Sequence, residues 1–209
     1  MARVIALALT LAIANALSAC STGTPFRSLT SPLASTPIIQ ASTPRPPDDL
    51  TPVAKGGGSF KIGRPYEFNG RTYVPVEDPN YRTEGIASWY GPDFHGKPTA
   101  NGEIFDMNGI SAAHPTLPMP SYVRVTNLGN GRTLLLRIND RGPYVNDRLI
   151  DLSRASARYL GVEGEGLARV RVRYAGPAPL SGDDRQEQRF LASRPWFQIK
   201  LARGPNDSR

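Results

Sequence analysis

The chain has 209 residues, of which 25 are Lys or Arg and 18 are Asp or Glu, so its formal net charge at pH 7 is +7. This positive excess suits a polyanionic partner such as nucleic acid, anionic lipid or a cell-wall polymer, although it also serves solubility alone. One cysteine excludes an internal disulfide, and with only two histidines besides it a structural zinc site is not expected.

The first 20 residues predict export and lipidation. Arg3 precedes an apolar run that is too short to span a bilayer, which is typical of a signal peptide over residues 1–19. The sequence LSAC at residues 17–20 matches a bacterial lipobox, so Cys20 is the predicted lipidation site; the alternative is an ordinary exported protein with a chance cysteine. Export excludes nucleic acid as the partner. Ser21 favours the outer membrane, where we expect a lipid-anchored chain that faces the periplasm.

The flanks of the chain differ in composition from its middle. Residues 20–58 are predicted to be a disordered linker after the lipidated cysteine, because 18 of the 34 residues from 21 to 54 are Ser, Thr or Pro. Residues 59–84 are predicted to form a short hairpin extension that turns at Asn69-Gly70. Residues 176–209 are expected to be a polar tail, in which Trp196–Leu201 is a candidate for a last strand.

Residues 85–175 are predicted to be the main folded unit. Alternation in YVRVTN and ARVRVRY indicates strands with one buried and one basic, solvated face. The helix Ser153–Leu160 begins with a serine cap and ends at Gly161. The candidate strands are Gly85–Tyr90, Gly109–Ala113, Tyr122–Asn127, Arg132–Asn139, Arg148–Leu152 and Ala168–Tyr174. Several short strands with one or two short helices predict a small, mainly β barrel.

Two aspartates are candidates for acid–base chemistry. Asp140 follows the apolar run TLLLRI and precedes RGP, where it is equally a functional group at a strand end or a turn residue that caps backbone amides. In RLIDLS, alternation places Asp151 opposite its two apolar neighbours. A half-buried carboxyl has a raised pKa, as a general acid requires. The alternative for Asp151 is an ion pair with Arg148 or Arg154, or a capping contact at the following helix.

The segment IASWYGPDFHGKPTANGEIFDM, residues 86–107, combines aromatic, glycine and carboxylate residues. Trp89 and Tyr90 are neighbours in a strand and face opposite sides, so one of them can present a platform on which a sugar ring stacks. His95 lies in a glycine-rich loop and is expected to be exposed. His114, in the apolar segment AAHP, is by itself more typical of a structural histidine than of a catalyst. No P-loop, dinucleotide fingerprint or serine or cysteine nucleophile motif is present.

Taken in order, the segments GIASWYGPDFHGKPTANGEIFDM, SAAHPTLP, VRVTNLGNGR, RINDRGPY and RLIDLSRASARYLG resemble the RlpA (rare lipoprotein A) family of septal lytic transglycosylases. The resemblance covers Gly85–Tyr174 and implies a six-stranded double-psi β-barrel, as in expansins, family 45 glycoside hydrolases and MltA-type transglycosylases. It implies cleavage of the MurNAc-β-1,4-GlcNAc bond of peptidoglycan to give 1,6-anhydro-MurNAc, with no metal and no cofactor. Cell-division proteins are partners that the family implies. Unlike many members, the chain is expected to carry no SPOR domain after Tyr174.

The resemblance also implies roles for individual residues. The family pattern places Glu103, Asp106, His114 and Asp140 in the cleft, whereas comparison with MltA-type enzymes nominates Asp151 as the acid. We therefore predict Asp140 or Asp151 as proton donor, with Glu103 and His114 assisting. The predicted substrate-binding residues are Trp89, Tyr90, Asn101, Asp106, which also holds the site together, and Arg141.

Two other functions fit the same residues. A non-catalytic, expansin-like glycan-binding module would use Trp89 or Tyr90 together with the basic strand faces. An inverting hydrolase would need two carboxyl groups roughly 6.5–9.5 Å apart with a water molecule between them.

Overall fold

The computed structural model describes residues 53–145 and 147–203, apart from the side chains of residues 200–203. The predicted signal peptide, Cys20 and most of the predicted linker lie outside these residues. Within them, no helix combines the length and the apolar character needed to cross a membrane.

Six strands close into a barrel. The elements in chain order are β1 Tyr66–Phe68, β2 Arg71–Tyr73, β3 Arg82–Trp89, a 3₁₀ turn Pro92–Phe94, β4 Ser111–Ala113, β5 Ser121–Asn127, β6 Thr133–Asp140, β7 Arg148–Leu152, α1 Arg154–Leu160, β8 Ala168–Pro177, α2 Arg185–Ala192 and α3 Pro195–Arg203. The barrel order is β3-β7-β4-β6-β5-β8. Pairs β3–β7 and β4–β6 are parallel, and the other pairs in the barrel are antiparallel. The predicted mainly β, six-stranded barrel is confirmed; the described residues carry three α-helices, of which α1 lies between two barrel strands and α2 and α3 follow the last one.

Alternating valines of β5 and β8 fill part of the barrel interior. Val123 and Val125 of β5 and Val170 and Val172 of β8 are fully buried, whereas Arg124 between the first pair is exposed. Each fully buried aliphatic side chain contributes about 1.5–3 kcal/mol relative to an exposed one. The core therefore fixes which face of these two strands points outward.

Helix α1 follows β7 directly and has both predicted caps. The Ser153 hydroxyl accepts a hydrogen bond from the backbone N–H of Ser156 at 3.1 Å, and Gly161 has the left-handed conformation of a helix C-terminus. Ala157 and Leu160 are buried in the core. This helix anchors the end of β7, one residue beyond the strand that carries Asp151.

The predicted hairpin is confirmed. Strands β1 and β2 pair antiparallel around Asn69-Gly70, and both turn residues have positive φ. The rings of Tyr66 and Tyr73 stack with centroids 5.1 Å apart. The Tyr66 hydroxyl donates a hydrogen bond of 2.8 Å to the carbonyl of Pro115, so the hairpin is fastened to the barrel.

The prediction of a last strand at Trp196–Leu201 is wrong, because these residues belong to helix α3. The barrel is already closed by β8 and leaves no free edge there for a further strand to extend. The preceding helix, α2, buries Leu191 against the core, and its Glu187 accepts a hydrogen bond from the Tyr122 hydroxyl at 3.1 Å. The segment after β8 is therefore packed against the barrel.

Candidate active site

Asp140 and Asp151 lie on either side of Ala113 in a row that crosses the outer face of the barrel. Ala113 in β4 is the register partner of both Asp151 in β7 and Asp140 in β6, and Ser88 in β3 is the next partner of Asp151. Adjacent strands are about 4.8 Å apart, so the two aspartate Cα atoms are roughly 10 Å apart. The barrel thus brings both candidate proton donors to one patch.

A β-bulge in β6 places Asp140 in this row. Ala112 pairs with Ile138 and Ala113 pairs with Asp140, so Asn139 is an extra residue on β6. A bulge redirects the side chains that follow it. As a result the Asn139 amide points to Glu103, to which it donates a hydrogen bond of 3.0 Å, and Asp140 joins the row of Ala113 and Asp151.

Asp151 is half-buried and contacts a hydroxyl. The Ser88 hydroxyl donates a hydrogen bond to Oδ1 of Asp151 and accepts one from Nη1 of Arg148 at 3.1 Å. Burial raises the pKa of Asp151, and the Ser88 hydrogen bond and the charge of Arg148 oppose that rise only in part. The carboxyl therefore keeps its proton to a higher pH than an ordinary aspartate, as a general acid must.

Asp140 is half-buried as well, but its partners are backbone amides. Its Oδ1 accepts hydrogen bonds of 2.8 Å from the N–H groups of both Ala100 and Arg141. Burial raises the pKa of Asp140, with the two amides and the charge of Arg141 acting against it. An amide N–H can only donate, whereas a serine hydroxyl can donate to a carboxylate or accept from a carboxylic acid. The partners of Asp140 thus favour its ionised form, and the partner of Asp151 accommodates both forms.

The Tyr90 ring packs against the aromatic side chains of Phe94 and Phe105, near the two aspartates. Its ring stacks on Phe105 with centroids 4.2 Å apart and meets the edge of Phe94. Its hydroxyl is buried without a hydrogen-bond partner among the described residues. Burial raises the pKa of Tyr90 well above its usual value, and the charges of Asp140 and Asp151 add to this, so the hydroxyl lies within electrostatic reach of both carboxyl groups.

The two neighbouring aromatics have different surroundings, and the predicted roles of Trp89 and Tyr90 in substrate binding stay predictions. Trp89 is the register partner of the buried Leu152 and packs, half-buried, against the core. Because one face of the Tyr90 ring is covered by Phe105, the aromatic ring that is open to solvent here is Phe94, at 51% exposure. Phe94 is not among the predicted substrate-binding residues.

Glu103 is held by four hydrogen bonds in a buried network. Arg137 donates two to it, at 3.0 and 2.5 Å, and Asn139 and Asn101 donate one each at 3.0 Å. Burial alone would raise the pKa of Glu103, but these donors outweigh it and the net pKa is lowered. Glu103 is therefore ionised and saturated, a geometry that suits an anchor for its loop more than proton transfer.

Asn101 is saturated in the same way. Its Oδ1 accepts from the Thr99 hydroxyl at 2.8 Å and from the backbone N–H of Glu103 at 3.2 Å, while its amide bonds Glu103. These contacts fix the loop from Thr99 to Glu103 against β6. The predicted catalytic role of Glu103 and the substrate-binding role of Asn101 stay predictions.

His114 is buried and neutral. Its Nδ1 accepts hydrogen bonds of 3.2 Å from the backbone N–H groups of Thr116 and Leu117, so the ring proton lies on Nε2, 2.9 Å from the hydroxyl of Tyr81. Burial, assisted by the charge of Arg141, lowers the pKa of His114 to about 3. At neutral pH this residue positions its neighbours and has no acidic proton to give.

In the described contacts, the Arg141 side chain binds backbone carbonyl groups. It donates to the carbonyls of His114 at 3.2 Å, Leu117 at 2.7 Å and Ile62 at 2.7 Å. It thereby joins the hairpin extension to the loop that follows β4. Its predicted role in substrate binding stays a prediction.

The expectation that His95 is exposed is wrong, because the residue is only 5% exposed. Its Nδ1 accepts a hydrogen bond of 3.2 Å from the backbone N–H of Met107. Oδ1 of Asp106 lies 3.6 Å from the same nitrogen. Asp106 also accepts from the N–H of Asn108 at 2.9 Å and shapes that turn. Among the described residues, no group of three or more potential metal ligands converges.

The barrel sequence is similar to proteins of known function. Residues 82–172 match the family model described as "Lytic transglycolase". The chain is 55% identical over 130 residues to an "Endolytic peptidoglycan transglycosylase RlpA" from Pseudomonas aeruginosa, covering 62% of this chain and 38% of that protein. It is 46% identical over 132 residues to the protein of the same name from Campylobacter jejuni, covering 63% and 48%. The chain thus spans less than half the length of these relatives.

Among solved structures, an expansin from Clavibacter michiganensis covers 47% of this chain and 53% of its own at 17% identity and a TM-score of 0.37. That likeness is too remote to bear on function. The sequence matches and the closed six-stranded barrel agree with each other: residues 82–172 match the lytic transglycolase family model, and the barrel is similar in sequence to the double-psi β-barrel of RlpA proteins.

Proposed function

We propose that the chain is an endolytic peptidoglycan transglycosylase that cleaves the MurNAc-β-1,4-GlcNAc bond and leaves 1,6-anhydro-MurNAc ends. The observation that carries this proposal is the pair Asp140 and Asp151, two half-buried carboxyl groups with raised pKa in one row of a barrel that is similar in sequence to that of RlpA proteins. The activity named for the relatives supports a transglycosylase over an expansin-like binding module.

In the proposed reaction, Asp151 donates its proton to the glycosidic oxygen as the bond from that oxygen to C1 breaks. The ionised Asp140 stabilises the positive charge that develops on the sugar ring. The C6 hydroxyl of the substrate then attacks C1, and the Asp151 carboxylate accepts the proton of that hydroxyl. Because the nucleophile is the sugar's own hydroxyl, no water is consumed. The Ser88 hydroxyl bonds both protonation states of Asp151 by reversing its role from donor to acceptor.

Product analysis tests the reaction class. Digestion of purified sacculi, followed by mass spectrometry of the soluble fragments, is expected to show anhydro ends, each lighter by one water than a hydrolytic end. Fragments that carry only hydrated reducing ends would identify a hydrolase. Sacculi that are bound without release of fragments would identify an expansin-like binder.

Matched substitutions assign the carboxyl groups. General acid catalysis contributes about 10²–10⁴-fold, so we expect Asp151→Asn to lower the rate of anhydro product formation by at least about 10²-fold. Asp140→Asn also lowers it, because the developing charge loses its anion. Asp93→Asn is the control, because this exposed carboxylate lies in the neighbouring loop outside the row. Unchanged turnover in both row variants would remove the pair from the mechanism.

We further propose that Cys20 carries the lipid that anchors the chain to the outer membrane, facing the periplasm. The support is the lipobox LSAC and the apolar run before it. Cys20→Ser is expected to move the protein from the membrane fraction to the soluble periplasmic fraction, and to abolish incorporation of labelled palmitate. A Cys20→Ser protein that stays in the membrane fraction would contradict the anchor. Cell-division proteins as partners stay a prediction, which crosslinking in dividing cells would test.

A further inference from the structure

A pocket that the proposed reaction does not use lies beside the carboxyl row. It has a volume of about 250 Å³ and opens between the hairpin β1–β2 and the barrel. The hairpin supplies Arg71 and Tyr73 to its wall, and the barrel side supplies Tyr81, His114 and Arg148. Arg148 also donates to Ser88, the hydroxyl that bonds Asp151, so pocket and row share a boundary.

The charged side chains that line this pocket are positive. Arg71 and Arg148 both line it, and no Asp or Glu of the described chain is among its lining residues. His114 is neutral, because its pKa is lowered to about 3. Two cations without an acid in the wall favour an anionic group, and guanidinium groups suit planar carboxylates in particular.

The hairpin wall is held rigidly. The Arg71 guanidinium lies over the Tyr73 ring, 5.5 Å from its centroid, and Tyr73 in turn stacks on Tyr66. The backbone N–H of Val76 donates to the carbonyl of Thr116 at 3.1 Å, just beyond the hairpin. Since these contacts are made without a ligand, the cation at the rim is positioned in advance, which lowers the cost of binding.

We propose that this pocket is a subsite for a carboxylate carried by the glycan-strand substrate, with Arg71 as a specificity-determining residue outside the matched segment 82–172. The proposal rests on the proposed function for the identity of the polymer. The carboxylate has two sources in peptidoglycan: the lactyl group of a MurNAc without a stem peptide, or a stem peptide itself.

The test uses Arg71→Gln in the full-length protein, with Arg64→Gln as matched control. Arg64 is an exposed arginine of the same extension that does not line the pocket. A charge-assisted hydrogen bond is about twice as strong as a neutral one, so we expect Arg71→Gln to raise KM about tenfold at unchanged kcat. Arg71→Lys is expected to recover part of the loss, and Arg64→Gln to leave KM unchanged.

Three substrates separate the sources of the carboxylate: peptide-bearing strands, amidase-stripped strands, and strands whose carboxyl groups have been converted to amides. An effect of Arg71→Gln on stripped strands alone identifies the lactyl carboxylate, and an effect on peptide-bearing strands alone identifies the stem peptide. The amidated strands should bind wild type and variant equally. An equal loss on charged and amidated strands would overturn the subsite.

Cosedimentation with sacculi keeps this test independent of catalysis. If the wild type releases no fragments, the proposed function fails, yet weaker cosedimentation of Arg71→Gln than of Arg64→Gln still supports a carboxylate subsite. Equal cosedimentation of the two variants, with or without turnover, contradicts it.

Discussion

Asp151 and Asp140 differ in the kind of donor that each carboxyl group meets, and this difference can be measured. Ser88 lowers the pKa of Asp151 by donating to it, against the larger effect of burial. Two amides do the same for Asp140. Only the first donor can be removed by a change of one side chain that leaves the backbone intact.

Ser88→Ala is therefore expected to shift the pH profile. Without the hydroxyl, the pKa of Asp151 rises further, so the acid stays protonated to higher pH. The falling alkaline limb of kcat/KM, which reports the essential acid of the free enzyme, moves upward in pH. Activity measured across pH 4–9 checks this, at ~0.5-unit steps in the variant and the wild type. If the alkaline limb does not move, Asp151 is not the essential acid, and Asp140 takes its place as the candidate.

Tyr90 is a second residue whose neighbours define a test. Its hydroxyl has no partner among the described residues, so Tyr90→Phe breaks no hydrogen bond seen here and keeps the stack on Phe105. We expect the melting temperature to be unchanged within about 3 °C. A loss of turnover at this unchanged stability would show that the hydroxyl acts in the loaded cleft, and full activity would limit Tyr90 to packing.

At the scale of the elements, the loop from Thr99 to Glu103 depends on a buried ion pair. Glu103→Gln leaves Arg137 without its charged partner, and removing one partner of such a pair costs about 3–5 kcal/mol. The expected result is a large fall in the free energy of unfolding, measured by urea denaturation. The alkaline limb of the pH profile of the remaining folded enzyme should not move. If instead the alkaline limb shifts while the free energy of unfolding stays at the wild-type value, Glu103 takes part in the acid–base chemistry.

A buried leucine of helix α2 and an exposed leucine before it test how much the helix contributes to the barrel core. Leu191 is 2% exposed and packs into the core, whereas Leu180 in the preceding connection is 49% exposed. Leu191→Ala should cost about 2–5 kcal/mol of unfolding free energy. Leu180→Ala should cost less than about 0.5 kcal/mol. Similar small losses in both variants would mean that the helix does not contribute to the barrel core.

For the whole molecule, features that depend on a few consecutive residues could be predicted from the sequence, whereas features that depend on the pairing of distant strands could not. The turn at Asn69-Gly70, the caps of α1 and the alternating strands each depend on a few consecutive residues, and the structure confirms them. The alternation also placed Asp151 outside the core correctly. The segment boundaries chosen from composition stay predictions.

The missed features depend on strand order, which the local pattern does not encode. Ser88 was not selected, because its contact with Asp151 exists only once β3 pairs with β7. The bulge at Asn139 likewise follows from the pairing of β6 with β4. His95 was expected to be exposed because its loop is glycine-rich, yet the chain from Phe105 to Met107 folds back over it. Trp196–Leu201 lie in helix α3 and not in the predicted strand, because the closed barrel has no free edge with which a further strand could pair.

Positive charge is concentrated on the other side of the barrel. Arg82, Arg173 and Arg124 occupy one register row across β3, β8 and β5, and all three are exposed. Like charges opposite one another are unfavourable unless an anion screens them. Arg169 lies outside the row, 3.4 Å from Glu84.

We expect cosedimentation with sacculi to weaken as salt screens this row. Raising the ionic strength from about 0.01 to 0.15 M shortens the Debye length from about 30 to 8 Å. Arg173→Gln should make the bound fraction less sensitive to salt, while Arg169→Gln removes the same charge outside the row and should not. Salt-independent binding of the wild type would exclude the row from glycan attraction.

The contacts of residues 56–61 have a mechanical consequence. Gly56 lies so close to the backbone at Ser181 that a Cβ there would be 2.6 Å from the Ser181 oxygen. Farther on, Lys61 Nζ bonds the carbonyl of Ala100 at 3.0 Å, and the N–H of Ala100 bonds Asp140. Just before these residues, Lys55 Nζ bonds Oδ2 of Asp184 at 2.6 Å. A pull on the chain from the N-terminal side therefore meets the contacts of Lys55 and Gly56 before it reaches Lys61 and, through Ala100, Asp140.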